Sequence, residues 1–134
     1  MGVKRFMYSV ILTGALMFCF GATAYASARW AGVRAVLTAD KQTVTSGFSS
    51  DPFKATAMYG ETLNNSKYAI MFETRGRNGV GEAGYQEALI TLRPGYSHTM
   101  TISSNYNYHS ITLTGKDGLK TVKGCIGNGY VDKD

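Results

Sequence analysis

Apolar and polar side chains alternate along most of the chain beyond about residue 30, with the two-residue period typical of half-buried β-strands. Glycine, asparagine, aspartate and proline interrupt the alternation at intervals of roughly 8–12 residues, a spacing that favours an all-β sandwich or barrel. The pattern predicts strands over residues 33–39, 53–61, 67–75, 86–93, 97–103, 108–115 and 120–127, with 129–131 as a short edge. We therefore expect an all-β fold, a single antiparallel β-sandwich of about seven strands that is Ig-like or jelly-roll-like.

The turn residues support this interpretation. Proline restricts φ, and Asn-Gly or Asp-Gly tolerates the positive φ of tight hairpins, so Pro94-Gly95, Asp117-Gly118 and Asn128-Gly129 predict turns. The segment Lys-Asp-Gly that ends at Gly118 is the clearest hairpin signal. No segment after residue 28 carries a sustained apolar stripe of helical period.

The first 28 residues have the organisation of a secretory signal peptide. Lys4 and Arg5 precede an apolar run over residues 6–20, and two Ala-x-Ala patterns end at Ala26 and Ala28. The apolar run is shorter than the roughly 20 residues that a membrane-spanning helix needs. We expect a signal helix over 1–28 that is cleaved after Ala26 or Ala28. The mature β-sandwich domain, 29–134, then has no transmembrane segment and is secreted, acting outside the cell.

The charge is mildly basic, with 14 Lys and Arg, nine Asp and Glu and a formal net charge of +5. After residue 28 the basic residues are scattered along the sequence, and only Arg75 and Arg77 are close together. Nucleic-acid-binding domains usually carry a denser basic patch, so no nucleic-acid partner is expected. A weak attraction to anionic cell-wall polymers or membranes remains open.

A glycine motif, Gly79-x-Gly81-x-x-Gly84, has the spacing of the dinucleotide-binding fingerprint. That site requires a helix after the last glycine and an acidic residue about 20 residues further on. A further strand is predicted after Gly84, and no acid has that spacing. We interpret 76–84 as a long hairpin loop with its tight turn at Asn78-Gly79, and we expect no cofactor.

Cysteine and histidine offer few catalytic possibilities. Cys19 leaves with the signal, so Cys125 is either a buried thiol or the link of a disulfide-bonded dimer, and the sequence context favours burial. A cysteine nucleophile would need His98 or His109 within hydrogen-bond reach, in a motif that the sequence does not show. The prediction is therefore that the protein is not an enzyme.

Metal binding is also not expected. If residues 97–103 paired with 108–114 around Asn105 and Tyr106, then His98 and His109 would lie about 13 Å apart on one face. Zinc ligands converge at about 2 Å from the ion, so two histidines at that distance cannot share one ion.

The acidic residues after the signal do not form an obvious catalytic pair. Glu61, Glu73, Glu82 and Glu87 fall on separate predicted elements. Glycoside hydrolysis needs two carboxyl groups about 5–9.5 Å apart. We interpret these four as solvating residues.

The segment 97–110 has the most unusual composition, because small polar residues surround tyrosines and both histidines. Tyrosine offers a rigid ring and a hydroxyl, a combination that binding surfaces use. The candidate ligand-binding residues are Tyr96, His98, Tyr106, Tyr108 and His109. The alternative is that Tyr106 and Tyr108 only cap one end of the sandwich.

These features together predict a small secreted, non-enzymatic binding or interaction protein. Its ligand is a carbohydrate or a protein partner at the cell surface. A secreted bacterial antagonist resembling a bacteriocin is the alternative, and a cysteine-dependent hydrolase is the third hypothesis.

Overall fold

The computed structural model describes residues 32–133 and shows nine β-strands and no helix in that range. The strands are β1 (Val33–Leu37), β2 (Thr43–Thr45), β3 (Ala55–Thr62), β4 (Ala69–Arg77), β5 (Tyr85–Leu92), β6 (Ser97–Thr101), β7 (Tyr108–Asp117), β8 (Lys120–Thr121) and β9 (Gly127–Lys133). The all-β prediction is confirmed, whereas the prediction of about seven strands is too low. The predicted signal peptide, 1–28, lies outside the described residues. Between residues 32 and 133 no helix has the length and apolarity needed to cross a bilayer.

The strands form two antiparallel sheets, an arrangement consistent with a β-sandwich. One sheet has the order β1-β9-β3-β6, and the other has the order β2-β7-β4-β5 with β8 also paired to β7. Every strand pair is antiparallel, as expected from the sequence. The hairpin predicted at Asp117-Gly118 is confirmed, since Asp117 pairs with Lys120 across the turn.

The hydrophobic core draws on both sheets. Its fully buried members include Leu37, Met58 and Val131 from the first sheet, and Ile70, Phe72, Ile111 and Leu113 from the second. The Phe72 ring crosses to the opposite sheet at Gly60 and Gly129, which are paired with each other. A Cβ added at Gly60 would lie 2.9 Å from Phe72 Cδ2, so only glycine leaves room for the ring.

Strand β9 differs most from the sequence prediction. The expected short edge at 129–131 is a seven-residue strand at the centre of the first sheet, between β1 and β3. Its inward positions are Gly127, Gly129 and Val131, and a Cβ at Gly127 would lie 2.5 Å from Ile70 Cδ1. Side chains of the facing sheet fill the space at Gly127 and Gly129. Two of the three inward positions therefore carry no apolar side chain, and the alternation is hard to recognise in the sequence.

The supposed pairing of 97–103 with 108–114 is wrong. Strand β6 pairs with β3 in the first sheet, whereas β7 pairs with β4 and β2 in the second. Their connection therefore crosses between the sheets. His98 lies opposite Gly60 and His109 lies opposite Gly76, so the two histidines belong to different sheets.

The loops gather at the two ends of the strands. Loops 46–54, 78–84 and 102–107 form what we call the Tyr85 end, where the Phe53 amide donates to the Asn107 carbonyl at 2.9 Å. Loops 38–42, 63–68, 93–96 and 118–126 form the Leu119 end, where the Gly124 amide donates to the Ala39 carbonyl at 2.8 Å. These two ends carry the candidate sites described below.

Candidate functional site

The five candidate ligand-binding residues are divided between the two ends. Tyr96 and His98 lie at the Leu119 end, whereas Tyr106, Tyr108 and His109 lie at the Tyr85 end. The two groups are well separated along the strands. On β4, Ile70 near the Leu119 end and Gly76 near the Tyr85 end are six residues, or about 20 Å, apart. The residues of the predicted site thus occur as two groups.

His109 lies beneath the Tyr85 end, in a buried polar network. Its Nδ1 atom is 2.9 Å from Glu87 Oε1, with the two side chains 0% and 1% exposed. The Ser104 hydroxyl donates to the other carboxyl oxygen of Glu87. His109 Nε2 lies 3.1 Å from the Phe53 carbonyl oxygen, and the Phe53 ring packs against the imidazole at 4.8 Å between centroids. The network ties loops 46–54 and 102–107 to strands β5 and β7.

The hydrogen-bond partners define where the protons lie. A carbonyl oxygen only accepts, so His109 Nε2 carries a proton toward Phe53. A second proton lies between Nδ1 and the Glu87 carboxyl, either as imidazolium with carboxylate or as imidazole with carboxylic acid. Both forms are neutral as a pair, which is the condition for burying two ionisable groups.

A β-bulge turns Glu87 inward. Thr74 pairs with Ala88, but the next residue, Arg75, pairs with Gln86, so Glu87 is the extra residue of β5. A bulge places two successive side chains on one side of the strand and is a common means of re-aiming a side chain. The interpretation of Glu87 as a solvating residue is therefore wrong, because strict alternation assigned it to the outer face.

Two stacked tyrosines lie above this network. Tyr106 packs across Gly76, where an added Cβ would lie 2.7 Å from Tyr106 Cβ and 2.7 Å from Glu87 Oε2. Tyr85 stacks on Tyr106 with 5.6 Å between ring centroids and an interplanar angle of 13°. Tyr85 is 62% exposed, so it presents ring surface to solvent.

Arginine side chains hold the neighbouring loop 78–84. Arg75 donates to the Gly84 carbonyl at 2.9 Å, and Arg77 donates to the Glu82 carbonyl at 3.0 Å. The Arg77 guanidinium also lies 4.0 Å from the centre of the Phe48 ring, within cation–π range. The loop beside Tyr85 is thus fastened at several points.

The glycine motif lies in this loop and does not open a nucleotide site. Strand β5 begins at Tyr85, directly after Gly84, where a dinucleotide site would have a helix. The Glu82 amide donates to the Gly79 carbonyl, which places the tight turn at Val80-Gly81 and not at Asn78-Gly79 as predicted.

Tyr108 occupies a third position at the Tyr85 end. It begins β7 opposite Arg77 and is half-buried, with the alternation of the strand placing it on the outer face of the second sheet. It therefore does not belong to the stacked pair.

The cysteine lies far from this cluster. Cys125 is a fully buried free thiol, as expected, and its Sγ is 3.4 Å from the Ala69 carbonyl oxygen. Along β7, Gly115 at the thiol and His109 are six residues or about 20 Å apart. No Cys–His pair forms between these two residues.

The Ser104–Glu87–His109 order also differs from that of a nucleophilic triad. In such a triad the imidazole contacts the serine, whereas here the serine contacts the carboxyl group. In the part of the chain that the structure describes, no three His, Cys, Asp or Glu side chains are placed to hold a metal ion.

The sequence reasoning missed three residues of the cluster, namely Glu87, Ser104 and Tyr85 as a surface ring. For His109 the sequence did contain a signal. His109, Ile111 and Leu113 are spaced two residues apart on β7, so all three side chains lie on the face that is turned toward the core. A buried histidine needs hydrogen-bond partners, and that requirement is what points to a hidden acid.

Comparisons with known proteins find no match to this chain among protein-family models or among curated proteins.

Proposed function

We infer that this chain is a secreted, non-enzymatic binding module that takes a carbohydrate at its Tyr85 end. The observation that carries this proposal is the exposed ring of Tyr85, stacked on Tyr106 above the buried Glu87–His109 pair. The C–H face of a sugar packs on such a ring, and surrounding polar groups fix its orientation.

The strand order supports a jelly-roll arrangement over an Ig-like one. When β8 is left aside and β9 is counted as the eighth strand, the sheets have the orders 1-8-3-6 and 2-7-4-5. This is the order of two interleaved Greek keys, the architecture of jelly-roll domains, which include lectins. The fold alone does not determine the function, so the proposal depends on the site.

Rigidity of the tyrosine pair favours binding. Ser104 is anchored to Glu87, and the Asn107 amide donates to Asn78 Oδ1 at 3.1 Å, so the loop that carries Tyr106 is held on both sides of the ring. A surface that is already ordered loses little conformational entropy when a ligand binds.

A carbohydrate fits this end better than a protein partner does. The exposed large apolar side chains of the described residues are dispersed over both ends and both sheets, and only Val80 and Tyr85 lie here. A stable protein interface buries about 800 Å² on each partner around an apolar centre. A small polar ligand needs only one accessible ring and a few polar groups.

The test starts with the full chain expressed in an exporting cell. We expect the protein in the medium, with Ser27 or Arg29 at its N-terminus. The recovered protein is applied to a glycan array, and bound glycans are titrated by calorimetry. Tyr85→Ala is expected to weaken binding more than about tenfold, because truncating an aromatic anchor costs about 2 kcal/mol or more.

Tyr96→Ala is the matched control, since Tyr96 is 53% exposed at the opposite end. It removes the same ring and is expected to leave glycan binding unchanged. Unchanged binding by Tyr85→Ala, or a loss confined to Tyr96→Ala, would contradict the proposed site. Capture of a protein and no glycan would contradict the ligand class.

A further inference from the structure

The fold collects basic side chains that are scattered in the sequence. Six lie on the loops and strand ends of the Leu119 end: Lys41, Lys67, Arg93, Lys116, Lys120 and Lys123. All except Lys116 are classed as exposed, and Lys116 is half-buried. Basic side chains that are scattered in the sequence are therefore gathered at one end of the folded chain.

Backbone contacts hold these loops together. The Gly124 amide donates to the Ala39 carbonyl at 2.8 Å, and the Lys67 amide donates to the Gly124 carbonyl at 2.9 Å. The Gly95 amide donates to the Thr62 carbonyl at 2.8 Å, which brings the loop of Arg93 to the end of β3. All four loops of this end are thus in one contiguous surface.

The positive charge is only partly compensated. None of the six basic side chains forms an ion pair within 4.0 Å among the residues from 32 to 133. Asp40 and Asp117 lie on the same end, and Glu61 lies near the end of β3. A hydrogen bond from Thr38, and to a smaller extent the nearby Lys41 and Lys123, lower the pKa of Asp40.

Leu119 is the most exposed large apolar side chain of this basic surface. Leu119 lies at the tip of the turn between β7 and β8 and is 98% exposed. Lys116 donates to the Leu119 carbonyl at 3.2 Å, and Lys120 follows it directly, so cations flank the leucine. Such a tip contributes nothing to the core and is suited to entering an apolar medium while the lysines remain at its surface.

We propose that the Leu119 end docks on an anionic lipid bilayer. Cations near a membrane attract anionic headgroups, and one inserted leucine adds apolar burial. This proposal is independent of the carbohydrate site.

A nucleic acid fits this surface less well than a bilayer. Arg93 already covers the Tyr96 ring at 4.9 Å, and Lys67 lies 5.5 Å from the Tyr68 ring centre. These rings are less available for stacking on bases, which is the usual source of affinity for single strands. An exposed leucine also has no partner on a phosphate backbone.

The experiment is co-sedimentation of the full chain with vesicles of phosphatidylcholine alone or mixed equally with phosphatidylglycerol. The readout is the partition coefficient for the mixed vesicles divided by that for phosphatidylcholine vesicles. This ratio cancels any apolar contribution that is common to both vesicles. The Lys120→Gln/Lys123→Gln variant is expected to lower this ratio by about 25-fold, or about fivefold per lysine. Raising the salt from about 0.1 M to 1 M is expected to abolish the preference, because the screening length falls from about 10 Å to about 3 Å.

The matched control is Lys54→Gln/Lys133→Gln, which removes two exposed lysines from the opposite end. It is expected to change the ratio only slightly. Leu119→Ser is expected to weaken binding to the anionic vesicles several-fold at constant salt. Equal losses in the two double variants would overturn the docking surface. An unaffected Leu119→Ser together with tighter binding to a DNA oligonucleotide would overturn the bilayer as its partner.

Discussion

At the scale of single residues, Glu87 and His109 are two ionisable side chains that are buried only because each compensates the other. Glu87→Ala leaves the His109 Nδ1 atom and the Ser104 hydroxyl without their shared acceptor. We expect the free energy of unfolding to fall by about 3–5 kcal/mol, the usual cost of removing one partner of a buried pair. Urea unfolding measures this change.

Two further variants refine that result. Glu87→Gln is expected to cost less, because its amide oxygen still accepts one hydrogen bond. Glu82→Ala removes an exposed glutamate from the neighbouring loop and is expected to stay within about 0.5 kcal/mol. Equal costs for Glu82→Ala and Glu87→Ala would contradict the role assigned to the buried pair.

Glu61 predicts a pH effect on stability. Burial raises the pKa of its carboxyl group, and hydrogen bonds from Asn128 and Tyr59 oppose that change in part. Because the folded state then holds the proton more tightly than the unfolded state, the stabilising contribution is complete below the unfolded pKa and is lost as the pH rises through the folded pKa. Glu61→Gln removes this dependence.

The measurement is the melting temperature of both proteins between about pH 4 and pH 8. We expect the difference between Glu61→Gln and the parent to move in favour of the variant as the pH rises, since only the parent must bury a charge. A difference that is constant over this range, or that moves in favour of the parent, would show that burial does not penalise the Glu61 carboxylate.

At the scale of strands and sheets, Phe72 couples the two layers through Gly60. Alanine is normally favoured over glycine in a strand by about 0.5–1 kcal/mol. We nevertheless expect Gly60→Ala to destabilise the protein by about 1–3 kcal/mol, because the added methyl group overlaps the Phe72 ring. In a Phe72→Leu background the same substitution is expected to cost less. A double-mutant cycle by urea unfolding measures the coupling, and additive costs would show that the ring is not in contact.

The same scale shows how far the sequence alone could reach. Alternation identified most of the longer strands correctly, because a sheet with one buried and one solvent-exposed face imposes a two-residue period on its strands. It missed β2 (Thr43–Thr45), which is only three residues long, and it could not reveal which strands pair, so the connection from β6 to β7 was wrongly treated as a hairpin. Local patterns set which face is buried, but the partner of a strand depends on contacts that are distant in sequence.

The candidate site was less predictable than the strands. Three of the five candidate residues, Tyr106, Tyr108 and His109, do lie at the same end of the strands, since they are close in sequence. The buried position of Glu87 was not predicted, because a bulge interrupts the alternation at that residue. No distinctive residue type in β5 marks the bulge in the sequence. Tyr85 and Tyr106 lie 21 positions apart, so their stacking follows only from the fold.

At the scale of the whole molecule, the two proposed surfaces lie at opposite ends of the strands. Strand β7 has ten residues and therefore spans about 33 Å between them. A domain held on a bilayer by its Leu119 end would direct its Tyr85 end away from the membrane, toward glycans in the surrounding medium. The geometry thus suits a protein that is retained at a surface while it binds a second ligand.

This arrangement predicts that the two activities are energetically independent. Tyr85→Ala is expected to weaken glycan binding and to leave the vesicle ratio unchanged, whereas Lys120→Gln/Lys123→Gln is expected to do the reverse. Their combination should add within about 0.5 kcal/mol in each assay, because sites more than about 10 Å apart without shared partners rarely couple. Calorimetry with the glycan, in the presence and absence of anionic vesicles, measures the coupling free energy between the two sites. A glycan affinity that changes several-fold when vesicles are added would show that binding at one end affects binding at the other. The core around Phe72 would then be tested as the coupling element with Gly60→Ala.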